Sequence, residues 1–175
     1  MIEIWSKIEI LLRIKNPHLL ETLQPGVPDI QISEIEEFLS VKFPDDIKSL
    51  YRILNGQSDC NIGLINGYEF LSLDRIKEEW SIWKNLLDSG TFQDENGNDI
   101  GSEADPGIRN VWWCPKWIPL TSDGSGNHNC LDLNPAEGGI YGQIITMLHD
   151  DVERKIVAPG IKMWLQQYAQ RLESM

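Results

Sequence analysis

The residues His149, Asp150 and Asp151 place an imidazole beside two carboxylates, a set of side chains that can perform chemistry. Such a set suits a divalent metal ion or a general base. A turn between two strands accounts for the same three residues without a ligand, because charged residues collect where the backbone reverses. We interpret the segment as a turn and keep the metal or base site as the alternative.

Two acidic segments space oxygen-bearing side chains at alternate positions, as a calcium-binding loop does. In the segment that begins at Asp123, the sixth position is His128 where a glycine is needed. The segment that begins at Asp94 has Asp99 at its sixth position and Asp105 at its twelfth, where a glutamate is needed. Ordinary turn chemistry explains the Asp, Asn and Gly residues of both segments. We therefore predict turns here and no metal.

No motif for catalysis accompanies the histidines and cysteines. HExxH, GxSxG and glycine-rich phosphate-loop patterns are absent from the sequence. The cysteines are widely spaced without a CxxC pair. The first residues lack a basic segment followed by an unbroken apolar core, so we expect no signal peptide. We predict a non-enzymatic cytoplasmic protein without a cofactor, with reduced cysteines at buried positions. The residues concerned are His18, His128, His149, Cys60, Cys114 and Cys130.

The charge of the chain is strongly negative, with 15 Lys and Arg against 27 Asp and Glu, a net charge of −12 over 175 residues. A field of this sign repels phosphate backbones and anionic lipids, so we expect neither nucleic acid nor a membrane as a partner. A basic protein is the favoured partner instead. Residues 88–105 hold six acidic residues and no Lys or Arg, which predicts a long exposed loop.

Helical spacing of apolar residues predicts three helices in the first third of the chain. The first covers residues 5–14. The second begins at Ser33, where Ser33 and Glu36 form a capping box, and it buries Phe38 with its neighbours. The third has Pro44 at its first position. Its apolar stripe is Ile47, Leu50, Tyr51 and Leu54, and Asn55-Gly56 ends it.

Strand and turn signals dominate the rest of the chain. Asn66-Gly67 predicts a hairpin between residues 62–65 and 68–71. Asp74 is the expected cap of a further helix. Later strands are predicted at 117–120, 129–133, 140–148 and 152–158, before a terminal helix. Helices, then an antiparallel meander, then a helix indicate an α+β fold in a single domain of residues 1–175.

The adjacent tryptophans Trp112 and Trp113 precede a Cys-Pro break. Neighbouring residues of an extended chain point to opposite sides. One ring should therefore be inside, with the other exposed or covered by a loop. An exposed tryptophan beside an acidic loop would make an apolar anchor for a partner, and packing of both rings is the alternative.

The stretch from Trp117 to Ile144 resembles the central signature of the SUKH superfamily and, more narrowly, of its Smi/Knr-like branch. The signature is a Trp-x-Pro strand, a Gly-x-Gly-Asn turn, a Leu-Asp-Leu strand and a Gly-Gln step. The resemblance is strongest over residues 30–170 and includes Phe43-Pro44 upstream. The matching motif residues are Trp117, Pro119, Gly124, Gly126, Asn127, Asp132 and Gly142.

The resemblance implies an α+β fold with N-terminal helices, a central, largely antiparallel sheet and a C-terminal helix. It also implies a bacterial immunity protein that binds and neutralises a polymorphic or contact-dependent toxin, often a nuclease, without catalysis. The alternative is a regulatory scaffold without a toxin partner. The expected contacts to a basic partner are Asp94, Glu95, Asp99, Glu103, Asp105, Trp112 and Trp113. Oligomeric state stays open.

Overall fold

The computed structural model describes residues 1–58 and 62–175. Its helices are α1 (Ile2–Lys15), α2 (Pro17–Glu21), α3 (Asp29–Leu39), α4 (Asp45–Tyr51), α5 (Leu73–Asp88) and α6 (Ile161–Ser174). Its strands are β1 (Leu23–Pro25), β2 (Leu54–Gln57), β3 (Glu69–Phe70), β4 (Glu103–Ala104), β5 (Trp117–Pro119), β6 (Thr121–Ser122), β7 (His128–Asp132), β8 (Gln143–Met147), β9 (Glu153–Arg154) and β10 (Ile156–Ala158).

The central sheet has four strands in the order β10-β8-β7-β5, and every neighbouring pair is antiparallel. Both faces of its middle strands are buried, with Cys130 opposite Ile145. Three further two-stranded pairs surround it: β1 with β2, β3 with β6, and the parallel pair β4 with β9. The predicted α+β fold, with helices at both ends of the chain and a largely antiparallel sheet between them, is confirmed.

The terminal helices α1 and α6 pack against each other and close one side of the core. The apolar stripe Trp5, Ile8 and Leu12 of α1 is buried, as helical spacing predicted. Tyr168 of α6 is buried, and its hydroxyl donates to the carbonyl of Leu64 at 2.5 Å. No helix in the described ranges is long and apolar enough to cross a membrane.

The predicted capping box at Ser33 is wrong. Helix α3 begins one turn earlier, directly after Pro28, so Ser33 lies inside it. The Glu36 carboxylate is buried, accepts the backbone N–H of Phe43 and lies 2.9 Å from the Lys48 ammonium. Burial raises the pKa of Glu36, but the hydrogen bonds and the lysine outweigh burial and leave that pKa lowered. Phe38, expected inside, is 42% exposed.

The third predicted helix is too long. Helix α4 ends at Tyr51, and Leu54 begins strand β2 instead of a further helical turn. Pro44 is the residue before the helix, not its first residue. The apolar pattern is buried as expected, but pairing with β1 decides the backbone after Tyr51.

The predicted hairpin forms only at its turn. Ile65 and Tyr68 exchange backbone hydrogen bonds of 3.1 and 3.0 Å around Asn66-Gly67. No strand is assigned to 62–65, and β3 pairs with β6. The buried Gln57 side-chain oxygen accepts the N–H groups of Leu64 and Phe70, which fixes both ends of this segment without a ladder.

Helix α5 is capped by Ser72, whose hydroxyl accepts the Arg75 N–H at 3.3 Å, and not by Asp74 as predicted. Its buried face carries Trp80 and Trp83. The cysteines that the described ranges include, Cys114 and Cys130, are buried and not disulfide-bonded; Cys60 lies outside the described residues.

Candidate functional site

An open cavity of about 580 Å³ runs along α5. It lies between residues 88–105, which we call the acidic loop, and the turn that follows β6. Its floor is apolar, and large parts of two floor residues are exposed: 54% of Ile82 and 38% of Ile100. We call this cavity the aromatic groove. Its floor consists of Ile82, Trp83, Leu86, Phe92, Ile100 and Trp112.

Stacked rings hold the floor in place. Trp83 stacks on Phe92 with centroids 5.7 Å apart, and Phe92 stacks on Trp112 at 6.4 Å. Trp113 lies behind them, 4% exposed, and stacks on Trp83 at 6.3 Å. The Arg154 guanidinium lies 5.4 Å from the Trp112 ring centre. The expectation that the two tryptophans differ is confirmed: Trp113 is in the core, and only Trp112 reaches the groove.

The acidic loop is fastened at its base, where its apolar residues enter the groove. The Ile100 N–H donates to the Phe92 carbonyl at 2.8 Å, and the Trp112 N–H donates to the Ile100 carbonyl at 3.0 Å. These two bonds bring together three floor residues that are distant in sequence. The loop therefore belongs to the wall of the groove.

The opposite rim is the glycine turn between β6 and β7. The Asp123 carboxylate accepts the N–H groups of Ser125 at 2.8 Å and Asn127 at 3.0 Å. Burial raises the pKa of Asp123, but these hydrogen bonds outweigh burial and hold that pKa below its ordinary value. The Asn127 side-chain oxygen accepts the His149 N–H at 2.9 Å, which joins the glycine turn to the His149 turn.

Both calcium-like segments are self-contained turns. Asp94 accepts the N–H groups of Asn96 at 2.8 Å and Asn98 at 2.9 Å, the same pattern as Asp123. Hydrogen bonds from Asn98 lower the pKa of Asp94. The prediction of turns is confirmed, and so is a turn at His149-Asp150. Within the described ranges no group of three or more His, Cys, Asp or Glu residues is placed to hold a metal ion.

A buried polar cluster next to the groove escaped the sequence reasoning. The Trp83 indole N–H donates to His128 Nε2 at 3.1 Å, and the Nδ1 of that ring lies 2.7 Å from the Thr121 carbonyl. This pairing selects the neutral tautomer that carries its proton on Nδ1. Glu79 lies 3.8 Å from Nε2 and is held by Arg75. The i, i+4 spacing of Glu79 and Trp83 places both on one face of α5, but it does not point to His128.

We expect His128 to remain neutral below the pH at which an ordinary histidine charges. Burial lowers its pKa, although the Thr121 bond and Glu79 oppose that shift. The unfolded chain then takes up a proton first, so the free energy of unfolding falls as the pH drops below about 6.5. An NMR titration that follows the C–H signals of the buried His128 ring measures this pKa. A His128 midpoint above about 6.5 would contradict the assignment.

The five acids predicted to contact a partner separate into two groups. Asp94, Glu95 and Asp99 lie on the tip of the acidic loop, where no ion pair engages them within the described part of the chain. Glu103 is in β4, which pairs with β9. Asp105 accepts the Ile156 N–H at 2.9 Å and so fastens the same edge. Asp105 is thus engaged within the chain, whereas the acids of the loop tip and the exposed Glu103 side chain are accessible to a partner.

Most of the motif residues position strands. Trp117 and Pro119 are buried in β5, and Asp132 ends β7. The Asp132 carboxylate accepts the Asn134 N–H and the Gln143 side-chain N–H, both at 2.9 Å. The motif residues that line the groove are Gly124 and Gly126, which have positive φ angles, as has Gly142.

Relatives that match most of the chain come from fungi. The chain is 28% identical to the cell wall assembly regulator SMI1 of Saccharomyces cerevisiae, over 97% of this chain and 40% of that protein. It is 25% identical to a glucan synthesis regulatory protein of Neurospora crassa, over 97% of this chain and 38% of that protein. A cell wall biosynthesis/cell cycle regulator of Schizosaccharomyces pombe is 27% identical, over 89% of this chain and 33% of that protein. The chain therefore spans two fifths or less of these relatives.

The expectation of an immunity protein that neutralises a toxin is wrong. Relatives that match nearly the whole chain are named as regulators of cell wall assembly and glucan synthesis, which supports the alternative of a regulatory protein. They are also fungal, so the expected bacterial origin has no support. The resemblance covers both immunity proteins and regulators, and the acidic surplus could not decide between them, because negative charge favours any basic partner and does not identify a toxin.

The resemblance to the Smi/Knr-like branch is confirmed at the level of the family. A sequence profile of the family matches residues 26–167, which contain the central sheet, helix α5 and the whole aromatic groove. The chain belongs to the SMI1 / KNR4 family (SUKH-1).

Proposed function

We propose that this chain is a regulatory adaptor that acts by binding other proteins in the cytoplasm, and that it performs no catalysis. The observation that carries this proposal is the match of 97% of the chain to a protein named as a cell wall assembly regulator. Because the chain spans 40% of that protein, a role in cell wall assembly is part of the proposal.

The geometry supports binding over catalysis. The groove offers an exposed apolar floor of the kind that protein and peptide sites use. The titratable groups beside it have partners. His128 pairs with Trp83 and Thr121, Glu79 pairs with Arg75, and His149 Nδ1 lies 3.0 Å from the Asn127 side-chain oxygen. The net charge of −12 favours a basic protein partner over nucleic acid or an anionic membrane.

The proposal is tested by affinity capture from the organism that encodes the chain. The tagged chain should retain a small, reproducible set of proteins in amounts comparable to its own, and retention should weaken as salt screens the charges. An unrelated acidic domain of equal net charge, carrying the same tag, is the control for nonspecific electrostatic binding. If the chain enriches no protein above that control, the adaptor proposal fails.

A further inference from the structure

We infer that the aromatic groove binds a short segment of a partner protein that carries one large apolar side chain beside lysine or arginine. This inference rests on the proposed adaptor function and specifies where and what the adaptor binds. Two observations carry it independently: the exposed apolar side chains Ile82 and Ile100 in the groove, and carboxylates on both of its rims.

The floor is built to receive an apolar side chain. Its volume of about 580 Å³ falls within the roughly 300–1,000 Å³ of ligand-binding pockets. The stacked Trp83, Phe92 and Trp112 rings are locked from behind by Trp113, so the floor does not have to rearrange before it binds. Trp83 and Phe92 are themselves buried, and they support a rigid contact surface formed by Ile82, Ile100 and the half-buried Trp112.

The charge around the groove selects a basic segment. The lining includes no Lys or Arg, and its one carboxylate, Glu79, is already paired with Arg75, so the attraction must come from the rims. The acidic loop forms one wall of the groove with its base and carries Asp94, Glu95 and Asp99 at its tip. Among the described residues, no ion pair neutralises these three carboxylates. Asp123 stands at the start of the opposite rim. A cation next to the apolar anchor would therefore meet carboxylates on both sides of the groove.

The test begins with a phage-displayed library of random dodecamer peptides, selected on the folded chain. We expect enriched peptides to share one Trp, Phe or Leu with a Lys or Arg close by. The strongest binder is then measured by titration calorimetry against two variants. We expect Ile82→Ser to weaken binding of this peptide about tenfold. Ile82 is 54% exposed in the groove, and the substitution removes its apolar contact with the peptide. Ile and Ser have similar helix propensities, so α5 should persist.

The second variant removes charge from the loop tip. Glu95→Gln combined with Asp99→Asn should weaken binding several-fold at 50 mM salt, and the difference should shrink at 300 mM salt because the lost attraction is screened. Matched controls lie elsewhere on the surface. Ile10→Ser changes an isoleucine of α1 that is 60% exposed, and Glu34→Gln with Glu37→Gln removes two exposed charges from α3. Both controls should bind like the unaltered chain.

Several outcomes would overturn the inference: no enriched motif, an acidic motif, or a peptide that binds Ile82→Ser as tightly as the unaltered chain. Concentration-dependent dimerisation abolished by Ile82→Ser would assign the groove to a second copy instead. Affinity capture separates the two proposals. If Ile82→Ser retains the same cellular partners as the unaltered chain, the adaptor function stands and the groove inference fails. If the unaltered chain retains none, the adaptor function fails.

Discussion

Replacing Gly56 with alanine should lower the free energy of unfolding by about 3–5 kcal/mol. Gly56 has φ of +67°, a backbone conformation that side chains disfavour. An added Cβ would also lie 2.4 Å from the carbonyl carbon of Leu71 and 2.4 Å from the nitrogen of Ser72. Backbone atoms cannot rotate away, so the segment that enters α5 would have to move.

The matched control for this variant is Gly67→Ala. Gly67 has φ of +86°, but an added Cβ would meet nothing within 4 Å. Gly67→Ala should therefore lower the free energy of unfolding only by the strain of a side chain at positive φ, about 1–2 kcal/mol. Denaturant unfolding of both variants measures the difference. Equal losses of stability would show that the contact between β2 and the start of α5 is not tight.

The Gly56 contact also explains why part of the fold escaped the sequence. The pattern Ile47, Leu50, Tyr51 and Leu54 is helical in spacing, and all four residues are buried. Local spacing could not reveal that Leu54 and Gly56 belong to a strand, because that choice depends on β1 and on Leu71, which are distant in sequence. Turns such as Asp94–Asn98 were predictable because their hydrogen bonds are local.

Replacing Asp132 with alanine should cost about 3 kcal/mol of stability, because it leaves one buried and one part-buried donor without their acceptor. Those donors are the Asn134 N–H and the Gln143 side-chain N–H. Gln143 also donates to the Gly107 carbonyl and accepts the Ile140 N–H, so three segments of the chain depend on this pair. Asp132→Asn keeps one acceptor oxygen, and we expect it to lose less stability than the alanine variant.

We also expect the Asp132 carboxyl to make the free energy of unfolding depend on pH. Burial raises the pKa of Asp132, and its hydrogen bonds only partly oppose that shift. The folded state then takes up a proton before the unfolded state as the pH falls toward the raised pKa. Within that window, this group makes the folded state more stable as the pH falls. The free energy of unfolding, measured by denaturant between pH 7 and pH 4, should show this contribution in the unaltered chain and not in Asp132→Ala. If the free energies of the two proteins change in parallel with pH, the expectation is contradicted.

The candidate site was predictable in its parts but not as an assembly. The acidic loop, Trp112 and the glycine turn were each identified from the sequence, and the structure places all three around one groove. The buried pair of Trp83 and His128 was not identified. Its two members lie 45 positions apart, and nothing local marks either residue as the partner of the other.

The construction of the acidic loop separates its anchor from its tip. Phe92 and Ile100 fasten the base to Trp112, whereas the hydrogen bonds of residues 94–99 stay within the loop itself. The tip can therefore change in length or sequence without disturbing the core. Related chains can diverge in what they recognise at this position while they keep the same fold, and the same position should accept an inserted epitope or reporter peptide.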